Sequence, residues 1–195
     1  MQACNTYWQI NYKNNDCVNF TTMKKIKLRA LTITDIDKTL EWNNQDDILN
    51  LYSGNPFPKN IELERMWYEK ILTSNFPVTV FGIEFIESKD LIGITVLKEI
   101  NLINRNSEFA IYVGDINYRG KGLSTEATFD TLDFAFNKLG LHRISLKVIE
   151  DNLPAIALYE KIGFKKEGII REAIFNNNIF KNEILMSVLK NEFHV

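Results

Sequence analysis

The stretch "YRGKGLSTEA", residues 118–127, places two glycines at the start of a segment with helical periodicity. The run "EFAIYV" before it has the β-branched and aromatic composition of a strand, and apolar residues recur at helical intervals after it, at Leu132, Ala135, Phe136 and Leu139. Backbone amides at a helix start lack intrahelical partners and carry partial positive charge, so a turn without side chains there suits a phosphate or pyrophosphate. The local pattern leaves a second interpretation open, in which the helix start needs glycine only for its backbone geometry.

Two familiar phosphate motifs do not fit this spacing. A P-loop needs four residues between its glycines and a Ser or Thr after its lysine, but Gly114 and Gly120 enclose five residues and Gly122 follows Lys121. A dinucleotide fingerprint that starts at Gly120 would need a third glycine where Thr125 stands. Both motifs are therefore excluded.

Upstream of the turn, the sequence predicts a strand, two helices and a three-strand meander. "MKKIKLRAL" is typical of a strand, "TITDIDKTLEWNN" predicts a helix capped by Thr34, and "IELERMWYEKIL" predicts a helix whose buried side includes Ile61, Met66 or Trp67, and Leu72. "VTVFGIEFIE", "LIGITVLKEI" and "SEFAIYVG" predict strands, and "ESKD" predicts the hairpin turn between the first two. These runs favour an antiparallel arrangement.

Downstream of the turn, strands and helices alternate. "HRISLKVI" predicts a strand, "NLPAIALYEKIG" predicts a helix opened by Asn152 and Pro154, and "GFKKEGII" and "IFKNEILMSVL" predict closing strands. Residues 1–22 are polar and show no apolar period, so we interpret them as an extension and residues 23–195 as a single domain.

Composition narrows the classes of function. The chain has 25 acidic and 23 basic residues and a formal charge of −2, so we expect no nucleic-acid partner. It has no apolar run near the roughly 20 residues of a bilayer span and no signal-peptide pattern at its start, which predicts a cytoplasmic protein without a membrane partner. Both cysteines, Cys4 and Cys17, precede the domain, and the only histidines are His142 and His194. A cysteine nucleophile within the domain and a His/Cys zinc site are thus excluded, no metal is expected, and His142 is interpreted as structural.

Two motifs together resemble one family. Arg119, Gly122 and Ser124 meet the pattern R/Q-x-x-G-x-G/A, with Ser124 in place of the usual Gly or Ala, and "EDNLPAIALYEKIGF" at 150–164 matches a second motif at the expected separation. The pair resembles the acetyl-CoA signature of the GNAT superfamily of N-acetyltransferases. The similarity covers nearly all of residues 25–190. The opening "IKLRALTITDID", the ending "EGIIREAIFNNNIFKNEILMSVL" and the strands between them resemble the branch that includes ribosomal-protein N-terminal and spermidine N-acetyltransferases. It implies an α/β (α+β) fold with a mixed, mostly antiparallel central sheet of about seven strands flanked by about four helices.

The resemblance also implies a binding site for acetyl-CoA as acetyl donor. Its pyrophosphate would be held by the main-chain amides of the turn, namely Arg119, Gly120, Lys121, Gly122, Leu123 and Ser124. The preceding strand, at Ile111, Tyr112 and Val113, would pair with the pantetheine arm through its backbone. Asn152 and Tyr159 would lie near the thioester.

Acetyl transfer to an amine needs proton acceptors and donors. An amine with a pKa of about 10 is almost wholly protonated near neutral pH, so a group must accept its proton, and without a cysteine the amine attacks directly in a ternary complex. Glu108, at the position where several GNAT enzymes carry a general base, is the candidate acceptor; the alternative is a solvated carboxylate or a partner for Arg105. Tyr159 is the candidate acid for the CoA thiolate, with core packing as the alternative, and Asn152 has the alternative role of a helix N-cap.

The acceptor itself stays open between polyamine, peptide α-amine and amino sugar. Acidic residues exceed basic ones in segment 41–70, which favours a cationic acceptor, although solvated helix faces give similar counts. The acids are Glu41, Asp46, Asp47, Glu62, Glu64 and Glu69. Glu99 and Glu108 are further candidates to face a polyamine. A non-catalytic acyl-CoA-binding sensor is the alternative function, and family relatives lead us to expect a homo-oligomer.

Overall fold

The computed structural model describes residues 9–10, 17–18, 24–46, 48, 57–73, 78–176 and 178–193. Of the predicted extension 1–22, β1 (Gln9–Ile10) and β2 (Cys17–Val18) are described as an antiparallel pair. Cys4, Asp47 and His194 lie outside the described residues. Within them, no helix has the length and apolar character needed to cross a bilayer.

A seven-stranded sheet forms the centre of the molecule, as predicted, with the order β3-β4-β5-β6-β7-β9-β8. Its strands are β3 (Ile26–Ala30), β4 (Thr79–Phe85), β5 (Leu91–Asn101), β6 (Asn106–Val113), β7 (Arg143–Ile149), β8 (Lys165–Asn176) and β9 (Ile179–Leu189). Four helices are described: α1 (Ile36–Asn43), α2 (Ile61–Thr73), α3 (Leu123–Asp133), which continues into a π-helical turn at Phe134–Lys138, and α4 (Leu153–Ile162). The predicted meander is confirmed, because β4, β5 and β6 pair antiparallel in chain order.

The one parallel pair in this sheet joins β6 to β7 and follows from the helix between them. A parallel neighbour requires a crossover connection, and α3 with its π-helical turn provides it. The glycine turn at 118–127 therefore links β6 to the crossover helix. This is the position that the flanking sequence patterns predicted.

The sheet has two covered faces, which we name by their helices. On the α3–α4 face lies the larger core, with Phe109 and Ile111 from β6 and Leu132 and Phe136 from the crossover. On the α1–α2 face lies a smaller cluster that includes Trp42, Tyr68 and Ile94, with Tyr112 packed against it. Burial alternates strictly along β6, so odd-numbered side chains face α3 and α4 and even-numbered ones face α1 and α2.

The start of α1 differs from the prediction. Thr34 lies inside a 3₁₀ turn, Ile33–Asp35, that precedes the helix, so it is not the cap. The Asp35 carboxylate accepts hydrogen bonds from the Thr32 N–H at 2.8 Å and from Arg29 Nη1 at 2.8 Å. Contact with Arg29 on β3 explains why the helix starts later than its local sequence indicates.

The buried side of α2 was predicted only in part, because Ile61 and Trp67 pack against the cluster on the α1–α2 face but Leu72 does not. Met66 and Leu72 are 65% and 51% exposed, whereas Glu64 and Tyr68 are fully buried. The reason is that α1 supplies polar partners to this side of α2, because the Thr39 hydroxyl bonds the Tyr68 hydroxyl at 3.1 Å. A search for apolar periodicity cannot detect a buried face of this kind.

Candidate active site

The glycine turn has the backbone geometry that the sequence indicated. Gly120 and Gly122 have φ angles of 71° and 77°, and Gly122 is the N-cap of α3. This left-handed region favours glycine because a side chain there clashes with the backbone. A Cβ at either glycine would meet no atom within 4 Å, so the space in front of the turn can accept a ligand. Amides at the start of a helix lack intrahelical partners, which suits an anionic ligand.

The two basic side chains of the turn serve different purposes. Arg119 folds back onto the end of β6, where its Nε donates to the Val113 carbonyl at 2.9 Å and its Nη2 donates to the Gly114 carbonyl at 3.0 Å. It thereby clamps the turn to the strand. Lys121 is exposed, and its Nζ lies 5.5 Å from the centre of the Tyr118 ring. Lys121 is the more accessible of the two charges.

The ladder between β6 and β7 ends early. Three residue pairs form it, Asn106 with Arg143, Ser107 with Ile144 and Glu108 with Ser145, although β6 continues to Val113 and β7 to Ile149. Beyond the Glu108–Ser145 pair, the two strands no longer hydrogen-bond as neighbours. The sheet therefore forks at Glu108, and the edge of β6 that includes Ile111, Tyr112 and Val113 borders the opening. We call this opening the fork.

Glu108 lies at the base of the fork, on the α1–α2 face. Its carboxylate pairs with Lys98 Nζ at 2.8 Å, and its side chain is 17% exposed. The alternative partner, Arg105, donates from its Nε to the Gly140 carbonyl instead, at 2.8 Å. Glu108 is thus a partly buried carboxylate that already binds one ammonium group.

Tyr159 reaches the same strand from the α3–α4 face. It is 8% exposed, and its ring contacts Phe109 edge-to-face at a centroid distance of 6.5 Å. Burial raises the pKa of Tyr159 to about 12, so the hydroxyl keeps its proton at neutral pH. Tyr159 is therefore a packed core residue whose hydroxyl is protonated.

Asn152 caps α4. Its side-chain oxygen accepts a hydrogen bond from the Ala155 N–H at 3.3 Å. The residue two positions earlier, Glu150, accepts from the Asn182 side chain on β9 at 3.0 Å, which ties the β7–α4 connection to the sheet. The cap interpretation of Asn152 is confirmed, and it fixes the start of the second motif.

On the α1–α2 face, Tyr112 of β6 packs against Trp42 of α1. Their rings meet edge-to-face at 6.2 Å, and Trp42 packs so closely on Gly114 that a Cβ there would lie 2.0 Å from the indole. Burial raises the pKa of the Tyr112 hydroxyl, and the nearby Glu64 carboxylate raises it further. The α1–α2 face therefore combines packed aromatic rings with the buried carboxylate of Glu64.

Glu64 is a residue whose role the sequence did not indicate. In the sequence it is one of six acids in segment 41–70, but in the structure it is fully buried. Its carboxylate oxygens accept hydrogen bonds from Asn43 Nδ2 at 3.1 and 3.2 Å, and Lys59 Nζ lies 3.8 Å from Glu64 Oε2. The other described acids of that set, Glu41, Asp46, Glu62 and Glu69, are exposed. Its spacing of four residues from Tyr68 is the signal that could have placed it on the buried side.

Comparison with known proteins agrees with this geometry. Residues 25–165 match the model of the acetyltransferase (GNAT) domain. The spermidine N(1)-acetyltransferase of Vibrio cholerae is 35% identical over 144 residues, which are 74% of this chain and 81% of that protein. The Escherichia coli K12 spermidine N(1)-acetyltransferase is 29% identical over 171 residues, which are 86% and 88% of the two chains.

Solved structures give the same result. The spermidine N-acetyltransferase from Vibrio cholerae in complex with CoA and spermine has a TM-score of 0.81 and 32% identity, and the match covers 86% of this chain and 97% of that one. A dodecameric structure of the Vibrio cholerae enzyme has a TM-score of 0.74 and 31% identity, over 86% and 95% of the chains. The chain therefore belongs to the GNAT acetyltransferase family, and it is an acetyl-CoA-dependent N-acetyltransferase.

Proposed function

We propose that this N-acetyltransferase acetylates a polyamine of the spermidine class by direct attack of the amine on acetyl-CoA. The similar proteins named as spermidine N-acetyltransferases support this acceptor. The partly buried carboxylate of Glu108 supports it as well, because it already pairs with one primary ammonium group, that of Lys98. The observation that carries the proposal is the fork, which gives one opening access to Glu108 and to the edge of β6.

For the cofactor, we propose that the main-chain amides of residues 119–124 bind the pyrophosphate. The left-handed glycines and the open space in front of them support this placement. The pantetheine arm then extends along Ile111–Val113, where the ladder to β7 has ended. The thioester lies toward Tyr159 and the capped start of α4.

In the proposed reaction, the acceptor nitrogen attacks the thioester carbonyl carbon. A C–N bond forms and the C–S bond breaks. The amine proton passes to Glu108, directly or through water, and the Tyr159 hydroxyl donates its proton to the departing thiolate. The position of Tyr159 supports this assignment, because its ring contacts Phe109 on β6 and a tyrosine hydroxyl is protonated at neutral pH.

A thiol-release assay tests the acceptor. Acetyl-CoA and the protein are mixed with spermidine, spermine, a peptide with a free α-amine and an amino sugar, and free CoA is measured with a thiol reagent. We expect release with the two polyamines at rates at least about tenfold above the others, as a cationic site predicts. Faster release with the peptide or the amino sugar would reject the polyamine assignment.

We also propose that the chain self-associates. Large apolar side chains are exposed on the β8–β9 hairpin, among them Ile169 at 64%, Phe175 at 57%, Ile179 at 60% and Phe180 at 60%. Exposed clusters of this kind mark interaction surfaces, and a dodecameric relative supports an assembly of identical copies. Light scattering behind a sizing column should give a mass of several chains, and a mass of one chain would reject it.

A further inference from the structure

The ion pair at the base of the fork contains a primary ammonium group, that of Lys98, which resembles the amine of an acceptor. Lys98 and Glu108 are register partners on β5 and β6, and Lys98 Nζ lies 2.8 Å from Glu108 Oε1. The Lys98 side chain is 44% exposed, so its ammonium can leave the carboxylate for solvent without disturbing the core. A primary ammonium on a flexible alkyl chain is also the form in which an amine acceptor arrives.

A β-bulge follows Lys98 directly in β5. The register of β5 against β6 shifts between Lys98 and Asn101, and Glu99 within the shift has a φ of 54°. The Ser107 hydroxyl donates to the Lys98 carbonyl at 2.7 Å, which secures the strand on the near side of the bulge. Lys98 is the last paired residue before the shift, so the regular ladder ends directly beside the ion pair.

We propose that Lys98 is a specificity-determining residue that competes with the acceptor's ammonium for the Glu108 carboxylate. The proposal rests on the proposed function, in which Glu108 receives the amine. The acceptor must displace the Lys98 ammonium before its own nitrogen reaches Glu108. Lys98 therefore raises the KM for cationic acceptors while leaving the chemical step unchanged.

The competition depends on the charge of the acceptor. A displaced Lys98 remains near the opening and repels every positive charge of the bound acceptor. A polyamine carries several such charges and a monoamine carries one. Lys98 thus raises the KM more for spermidine than for a simple alkylamine. The KM values of these two substrates therefore differ less in the wild-type protein than they would without Lys98.

The test compares Lys98→Met with Lys98→Arg. Met keeps most of the side-chain length without the charge, whereas Arg keeps the charge and can still pair with Glu108. For Lys98→Met we expect the KM for spermidine to fall about tenfold and the KM for n-butylamine about threefold, the size of one or two exposed charge contacts. The kcat should stay within about twofold, and Lys98→Arg should retain the wild-type KM.

Binding without turnover gives a second readout. In calorimetric titration of spermidine into the protein saturated with CoA, Lys98→Met should bind about tenfold more tightly than wild type. Equal or weaker binding by Lys98→Met overturns the proposal, as does tightening in Lys98→Arg to the same extent. Failure of the proposed function is recognised separately, because the wild-type protein would then release no CoA with any polyamine or Glu108→Gln would retain full kcat.

Discussion

The residues proposed to bind acetyl-CoA come from two short stretches, 111–124 and 152–159, whereas the α1–α2 face is assembled from residues far apart in the chain. The turn relies on backbone conformation, set by two glycines with positive φ. The α1–α2 face relies on pairs of side chains, such as Asn43 with Glu64 and Thr39 with Tyr68. Binding a common cofactor needs only a local backbone shape, but recognition of one acceptor requires a surface that the whole fold builds.

Two tyrosines, one from each region, illustrate this difference. Tyr159 and Tyr68 are both buried, and burial raises the pKa of each to about 12. Tyr68 bonds the Thr39 hydroxyl within the contact between α1 and α2, while Tyr159 lies on Phe109 beside the fork. Similar environments thus support a structural role in one case and a proposed catalytic role in the other.

The largest expected effect is a loss of kcat on removal of the Tyr159 hydroxyl but not of the Tyr68 hydroxyl. Tyr159→Phe should lower kcat about 100-fold, because it removes the donor of the thiolate proton, and should leave the Kd for CoA within about twofold. The matched control, Tyr68→Phe, removes the same atom from the other face and should change kcat less than threefold. Steady-state kinetics with calorimetric CoA binding measures both. A similar loss of kcat in the two variants would contradict the distinction.

The second prediction tests the role of backbone conformation at the turn. Gly122→Val forces a β-branched residue into a φ of 77°, at a strain of roughly 1–3 kcal/mol, and should weaken CoA binding about tenfold. Gly168→Val is the control, because Gly168 is exposed on β8 without a positive φ and without a neighbour within 4 Å of an added Cβ. Calorimetry should find unchanged CoA affinity in the control. Unchanged affinity in Gly122→Val would show that the turn does not hold the cofactor.

The same contrast explains what the sequence could predict. The turn, its strand and its helix are contiguous, and the left-handed conformation of Gly120 and Gly122 follows from residue type. The start of the α4 motif was equally accessible, because Asn152 caps the helix that its sequence opens. Local chemistry sufficed in these cases, since each structural cause lies within a few residues of its effect.

Tertiary partners decided the features that the sequence did not predict. The buried side of α2 carries Glu64 and Tyr68 because α1 satisfies their polar atoms, and no property of α2 alone indicates this. The fork depends on where β6 and β7 cease to pair. The strand β8 extends beyond its predicted end because β9 provides a pairing partner as far as Asn176. The Lys98–Glu108 pair likewise requires the register between two strands.

The third prediction concerns stability of the α1–α2 face. Glu64→Ala leaves the Asn43 amide without its acceptor in a partly buried contact and should lower the free energy of unfolding by about 2 kcal/mol. Glu62→Ala, exposed on the same helix, should change it by less than about 0.5 kcal/mol. Urea denaturation measures both. Equal stability of the two variants would mean that the buried carboxylate contributes nothing to the packing of α1 and α2.

The smallest effect lies outside both regions and depends on pH. Hydrogen bonds from Arg143 and from the Ser187 hydroxyl lower the pKa of Glu167 from 4.5 to about 2. A carboxylate with a lowered folded-state pKa stabilises the protein above its unfolded pKa, and this contribution is lost as pH falls from about 4.5 toward 2. Urea denaturation should therefore find Glu167→Gln less stable than wild type at pH 7 and equally stable near pH 2. A stability difference that stays constant over this range would contradict the lowered pKa.

Initial-rate kinetics with acetyl-CoA and spermidine both varied test the central claim, direct transfer within one ternary complex at the fork. Reciprocal plots should give intersecting lines, because the amine attacks the thioester while both substrates are bound. Parallel lines would contradict the account, since they indicate that an acetylated enzyme forms and CoA leaves before the amine binds.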